Sequence, residues 1–128
     1  MEESVVLQDR FARALGMEIM TCSQGHARTC VKINENCFNA AGNVHGGFLF
    51  TLADFALSVA ANTDNRDAVG ITINGSIHLS HSVKDGLLIA EAHEISRNKD
   101  IGSYCVEITD ETSQVLATFQ GQALFQTL

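Results

Sequence analysis

A chain of 128 residues that is 45% hydrophobic and 18% charged suits one globular core and is short for two, so residues 1–128 are read as one domain. Its net charge of −7, with only eight Lys and Arg scattered along it, argues against a nucleic-acid partner, because a duplex binder clusters cations against phosphates. Met1-Glu-Glu-Ser is acidic where a signal peptide is basic, and no apolar run approaches the ~18 residues of a membrane span, so a cytoplasmic protein is expected.

From the N-terminus, Val5, Leu7, Phe11, Ala14 and Leu15 form a helix-compatible stripe over residues 4–15 that Gly16 can cap. Met17 to Ser23 and Ala27 to Ile33 then alternate around Gln24-Gly25-His26, the pattern of a β-hairpin. Cys22, Cys30, Cys37 and Cys105 show no CxxC spacing and read as free thiols, although Cys22 and Cys30 could face each other across that hairpin. An apolar helical run follows over Phe48 to Ala61. After it come four strand-like stretches, at about 69–81, 86–96, 101–109 and 114–126, separated by Lys84-Asp85-Gly86, Arg97-Asn98-Lys99-Asp100 and Asp110-Glu111-Thr112-Ser113. Six mostly antiparallel strands with one nearly all-apolar helix predict an α+β fold, a curved sheet wrapped around a long central helix.

Asp54 is the one formal charge between Glu35 and Asp64, and it falls inside the apolar helix. Burying a carboxylate there costs several kcal/mol unless it is paired or used, which makes Asp54 the first candidate for chemistry. Thr51, Asp54 and Ser58 fall on one narrow polar line, expected in a wet crevice or at a subunit interface. Just before the helix, Asn39-Ala-Ala-Gly42-Asn-Val-His45-Gly46-Gly47 is a polar, glycine-punctuated loop. Its junction with the helix leaves backbone N–H groups without intrahelical partners at the positive end of the helix dipole, so the Gly46 amide is a candidate oxyanion donor. Gly46 and Asp54 are separated by about 12 Å along one helix axis, too far to act on the same carbonyl. If both act on one substrate, Gly46 of one chain must face Asp54 of another about a two-fold axis.

The segment Asn39-Ala-Ala-Gly-Asn-Val-His45-Gly46-Gly47-Phe-Leu-Phe-Thr-Leu-Ala-Asp54 resembles the hallmark of hotdog-fold acyl-CoA thioesterases, in particular the PaaI-like branch named for phenylacetic acid degradation. The resemblance covers residues 10–126 approximately. It implies a hotdog fold and hydrolysis of acyl- or aryl-acyl-CoA, phenylacetyl-CoA-like or medium-chain, to the free acid and coenzyme A. It also implies a homodimer that pairs again into a homotetramer. No cofactor is expected, coenzyme A being part of the substrate. By the same resemblance Asp54 is the catalytic base or nucleophile, Gly46 polarises the thioester carbonyl, Asn39 positions thioester or water, His45 braces the loop, and Thr72 orients the attacking water. Asn39, His45 and Gly46 are then supplied by one subunit, Asp54 and Thr72 by the other.

Substrate contacts are expected from Gly47 and Phe48, from Ser80 and His81, and from the basic turn Arg97, Asn98 and Lys99, which with Lys84 could meet a nucleotide phosphate. The chain departs from the family pattern in two places: no proline stands near Ser80-His81-Ser82, and Asn98 occupies a position where relatives often have Gly, so Asn98 is expected in a left-handed turn. No metal site is expected, since His78 and His81 are poorly spaced for chelation on a strand, and His26 and His93 read as surface or strand-end residues. The rival readings are a non-catalytic acyl-CoA-binding hotdog module and a hotdog dehydratase. The retained Asp54 speaks against the first, and the absence of the dehydratase sequence setting against the second.

Overall fold

The computed structural model describes residues 8–63 and 67–127. Its elements in chain order are α1 (Arg10–Ala14), β1 (Glu18–Ser23), β2 (His26–Lys32), a 3₁₀ turn (Glu35–Cys37), α2 (Gly46–Ala61), β3 (Ala68–Leu79), β4 (Leu87–Arg97), β5 (Ile101–Thr109) and β6 (Val115–Thr127). The strands form one antiparallel sheet in the order β1-β2-β4-β5-β6-β3, and its concave face wraps α2. This is the hotdog architecture expected from the sequence. No helix among the described residues is long and apolar enough to cross a membrane.

The first helix is shorter than its apolar stripe suggests. Asp9 Oδ1 accepts from the Ala12 N–H (3.0 Å) and opens the helix at Arg10, and Gly16 follows its end with φ of +80°, the left-handed position that glycine fills without strain. The part of the stripe before Gln8 lies outside the described residues. In the β1–β2 hairpin Cys22 stands opposite Ala27 and Cys30 opposite Glu18, so these two thiols do not face each other, and no disulfide joins any of the four cysteines.

Helix α2 buries Leu49, Leu52, Ala53, Phe55, Ala56, Leu57, Val59, Ala60 and Ala61. Leu52 and Leu57 are fully enclosed with Val31, Leu88, Val106, Ile108, Leu116 and Phe119 from the sheet, each large side chain contributing about 1.5–3 kcal/mol of transfer free energy. Thr51, Asp54 and Ser58 stay only half-buried, as their shared line predicts.

Strand β3 closes one edge of the sheet and carries a bulge between Thr72 and Asn74. The extra residue switches the alternation. Gly70 and Thr72 turn inward before it, and Gly75 and Ile77 do so after it: a Cβ on Gly75 would stand 2.5 Å from Phe119, and Ile77 packs on the core. On the outward side Ile71 and Ile73 remain about half exposed (46% and 49%) beside the free edge.

The end of α2 is tied to β3 through one buried side chain. Asn62 Nδ2 donates to Ser58 O (2.7 Å) and Gly70 O (3.1 Å), while its Oδ1 accepts from the Gly70 N–H (2.8 Å). Replacing Asn62 with Ala leaves both Gly70 backbone groups unpartnered, and urea denaturation should show a loss of about 2–4 kcal/mol with an unchanged slope. A loss below about 1 kcal/mol would mean that water replaces the clamp.

Candidate active site

The loop ahead of α2 is held by its own polar side chains. Asn39 Oδ1 accepts from the Ala41 N–H (2.9 Å) and the Asn43 N–H (3.0 Å), and the Asn39 N–H donates to Asn43 O. Two N–H donors on one atom identify it as the carbonyl oxygen, which leaves Nδ2 as the atom available to a ligand. Gly42 takes φ of +81°, and Lys84 Nζ reaches across to donate to its carbonyl at 2.7 Å. Lys84 therefore braces this loop, a role the sequence does not signal, since the two residues are far apart in the chain.

His45 caps α2 with a nitrogen where most helices use an oxygen. Its Nδ1 accepts from the Gly47 N–H at 2.8 Å, so the neutral ring carries its proton on Nε2. Its own N–H donates to Cys37 O at 2.7 Å. The Gly46 N–H, first of the helix, is engaged by none of the described residues. A Cβ on Gly47 would meet the His45 ring at 2.9 Å, and one on Gly46 would meet Leu79 Cδ1 at 3.0 Å. Glycine at both positions keeps the backbone approachable.

An open pocket of about 270 Å³ lies against this helix start. Asn39, Gly46, Ser80 and His81 line its polar side, and Val44, Leu49, Leu88 and Leu116 its apolar side. The Ser80 and His81 N–H groups both donate to Leu116 O, at 2.8 and 3.2 Å, which fixes that loop without a proline.

Asp54 and Thr72 meet elsewhere, midway along α2. Burial pushes the Asp54 carboxyl above the ordinary carboxylate range; the neighbouring Thr72 hydroxyl pulls it down and the charge of Asp9 pushes it further up. The two groups lie close without forming a well-shaped hydrogen bond: Asp54 Oδ1 and Thr72 Oγ1 are both buried and both unpartnered. Orphaned buried polar atoms of this kind are rare and call for a ligand or water.

The turn Arg97–Lys99 lies at the opposite end of α2 from Gly46. Arg97 stacks on Phe125 at 3.8 Å, Phe125 pairs with Gly70, and Gly70 is bound to Asn62 at the helix end. Asn98 is not left-handed as expected; Ser113 is the non-glycine residue with positive φ among the described residues. Asn98 Oδ1 instead accepts from the Asp100 and Ile101 N–H groups, both at 2.9 Å, and this side-chain turn replaces the glycine solution. Within one chain, then, Asn39, His45 and Gly46 gather with Ser80 and His81, Asp54 gathers with Thr72, and Arg97–Lys99 stands apart from both.

The sequence pattern of the thioesterase superfamily matches residues 41–117, from the glycine loop to β6. The chain belongs to the thioesterase superfamily. It is 30% identical to the acyl-coenzyme A thioesterase PaaI of Escherichia coli over 115 residues, 90% of this chain and 81% of that one. It is 33% identical to a 1,4-dihydroxy-2-naphthoyl-CoA hydrolase of Listeria monocytogenes over 105 residues, 80% and 84% of the two chains. The solved structure of Escherichia coli PaaI superposes with a TM-score of 0.85 at 28% identity, covering 91% of this chain and 83% of the other. The protein is a PaaI-like hotdog thioesterase, a thioester hydrolase.

In this thioesterase the raised Asp54 pKa carries a sign for stability. A carboxyl whose folded pKa exceeds its unfolded value favours folding below the unfolded pKa, and that advantage is lost as pH rises through the folded pKa. Asp54→Asn removes the ionised form, so it should stabilise the protein at neutral pH, by the order of 1 kcal/mol, and change nothing at a pH below the ordinary carboxylate range. Denaturant unfolding of both proteins across that window checks the sign; a variant less stable at neutral pH would show that the carboxylate is well partnered.

Proposed function

We propose that this protein is a cytoplasmic acyl-CoA thioesterase that hydrolyses an acyl- or aryl-acyl-CoA, and that two chains complete each site. The observation that supports it best is the buried, unpartnered pair Asp54 Oδ1 and Thr72 Oγ1 on a helix whose first N–H, that of Gly46, is unengaged. In the proposed reaction the Gly46 N–H polarises the thioester carbonyl, with Asn39 Nδ2 placing the thioester or the water. Asp54 acts as base on that water or as nucleophile on the carbon, and Thr72 orients the attacking water. The C–S bond breaks as oxygen bonds to the carbon, either that of the water whose proton Asp54 takes or that of Asp54 itself, whose mixed anhydride water then hydrolyses; coenzyme A leaves as a thiolate that takes up the proton released by water. Thiolate is a good leaving group, so water and these groups suffice and no cofactor is required.

Two antiparallel copies of α2 about a two-fold axis would set Gly46 of one chain beside Asp54 of the other. The free edge of β3, with its half-exposed Ile71 and Ile73, supports pairing of the sheets at that edge. The same two-fold would carry one chain's Arg97–Lys99 turn toward the other's pocket, as a nucleotide phosphate requires. Further pairing into a homotetramer would deepen the pocket. Two named relatives act on CoA thioesters, one of them an aryl thioester, and the apolar side of the pocket, formed by Val44, Leu49, Leu88 and Leu116, suits an aryl or medium acyl group, whereas Phe48 packs against the core.

Coenzyme A release from a panel of phenylacetyl-, hydroxyphenylacetyl-, benzoyl- and short- to long-chain acyl-CoAs should show turnover selective for part of the panel. Asp54→Ala should lower it by about 10²- to 10⁴-fold. The acid limb of kcat/KM, which follows Asp54 ionisation, should fall at a pH above the ordinary carboxylate range. No turnover on any member would move a non-catalytic acyl-CoA-binding module to first place, and turnover that survives the substitution would overturn the role of Asp54.

Gly46→Pro removes the proposed donor while keeping the helix, because proline is tolerated at the first helical position and His45 already has an extended φ/ψ of −62°/132°. The expected loss is about 10²- to 10³-fold in kcat, against a small effect of Gly46→Ala, which adds the same Cβ but keeps the N–H. Refolding Gly46→Pro with Asp54→Ala chains should restore about a quarter of native activity, since each mixed dimer regains one intact site. No recovery on mixing would overturn the shared site.

A further inference from the structure

We infer that the convex face of the sheet carries a binding site for a divalent transition-metal ion of the zinc type, formed by His26, Glu91 and His93. The pairing of β2 with β4 sets His26 directly opposite His93, and Glu91 lies two residues before His93 on the same face. His26 Nε2 stands 2.6 Å from Glu91 Oε2, and His93 Nε2 stands 3.8 Å from the same oxygen. One ligand atom from each of the three residues falls within 4.8 Å of the others, and the two imidazole rings lie 4.8 Å apart, tilted by 52°. Ligands around a tetrahedral zinc ion at 2.0–2.1 Å are separated by about 3.3 Å, so modest side-chain rotations close the set.

Two imidazoles and a carboxylate with a fourth position open are a ligand set that zinc and its neighbours favour. Arg28 flanks Glu91 from β2 and opposes a cation, while Glu107 faces Glu91 from β5 and offsets it. The rings are half-buried and exposed respectively, so the ion has access. On binding, each Nε2 supplies its lone pair and the ring proton resides on Nδ1. The site lies on the side of the sheet facing away from α2, so it does not belong to the thioesterase centre. A metal there would staple β2 to β4.

The test is titration of the full-length protein with Zn²⁺ by calorimetry, together with thermal unfolding with and without the ion. One Zn²⁺ per chain with a Kd below about 10 μM and a raised melting temperature is expected for the native protein. His93→Gln, at an exposed position, should weaken binding by at least about tenfold and abolish the thermal shift. His26→Gln should do the same, with both variants melting normally in chelator. Cys105→Ser should bind Zn²⁺ as the native protein does; Cys105 is the partner of His93 across β4 and β5 and is the control for a thiol site. Weaker binding, binding indifferent to both histidines, or loss in Cys105→Ser alone would overturn the assignment.

Discussion

Burial of α2 in the hollow of one continuous sheet is the constraint on which the rest of the molecule depends. The helix spends nearly its whole circumference on Leu, Phe, Ala and Val side chains, so the sheet must curve to cover them. Such a rod tolerates little polarity. The half-buried line of Thr51, Asp54 and Ser58 is what remains uncovered, and Asp54 is the member whose burial is unfavourable when charged.

The same burial turns the two ends of α2 into points of precision. At its start the chain arrives through a loop fixed by Asn39, braced by Lys84 and capped by His45, which holds the Gly46 amide in place before any ligand binds. Pre-placed amides of this sort lose little on reorganisation, and that is where their catalytic value comes from. At its end Asn62 joins helix to strand. The separation of Gly46, at the start, from Asp54, midway along the helix, is why a site using both would need two chains.

Much of this was legible in the sequence. The strand and helix boundaries follow from alternation, apolar runs and turn residues, because each element has one face in the core and the period shows which. Asp54 was conspicuous as an isolated charge among apolar neighbours, and the Asn39-to-Asp54 segment identified the family. What could not be read depends on contacts between distant segments or on choices among equivalent local solutions. Lys84 meets Gly42, and His26 meets His93 and Glu91, only because strands separated in sequence pair in space. Asn98 uses its side chain where a left-handed backbone was expected, and both solutions suit an Asn in a turn. The hairpin register that separates Cys22 from Cys30 was set by the length of the Gln24-Gly25 turn.

The bulge in β3 has a consequence for how this chain can vary over evolutionary time. Edge strands and surface loops are ordinarily where single-residue insertions and deletions accumulate. Here the extra residue between Thr72 and Asn74 sets the facing of what lies on either side of it, Thr72 toward Asp54 and Ile77 and Leu79 toward the core and Gly46. Loss of Ile73 would restore plain alternation and turn one of those two groups outward. Substitutions can pass along the outward face of β3 at little cost, whereas a change of one residue in its length cannot.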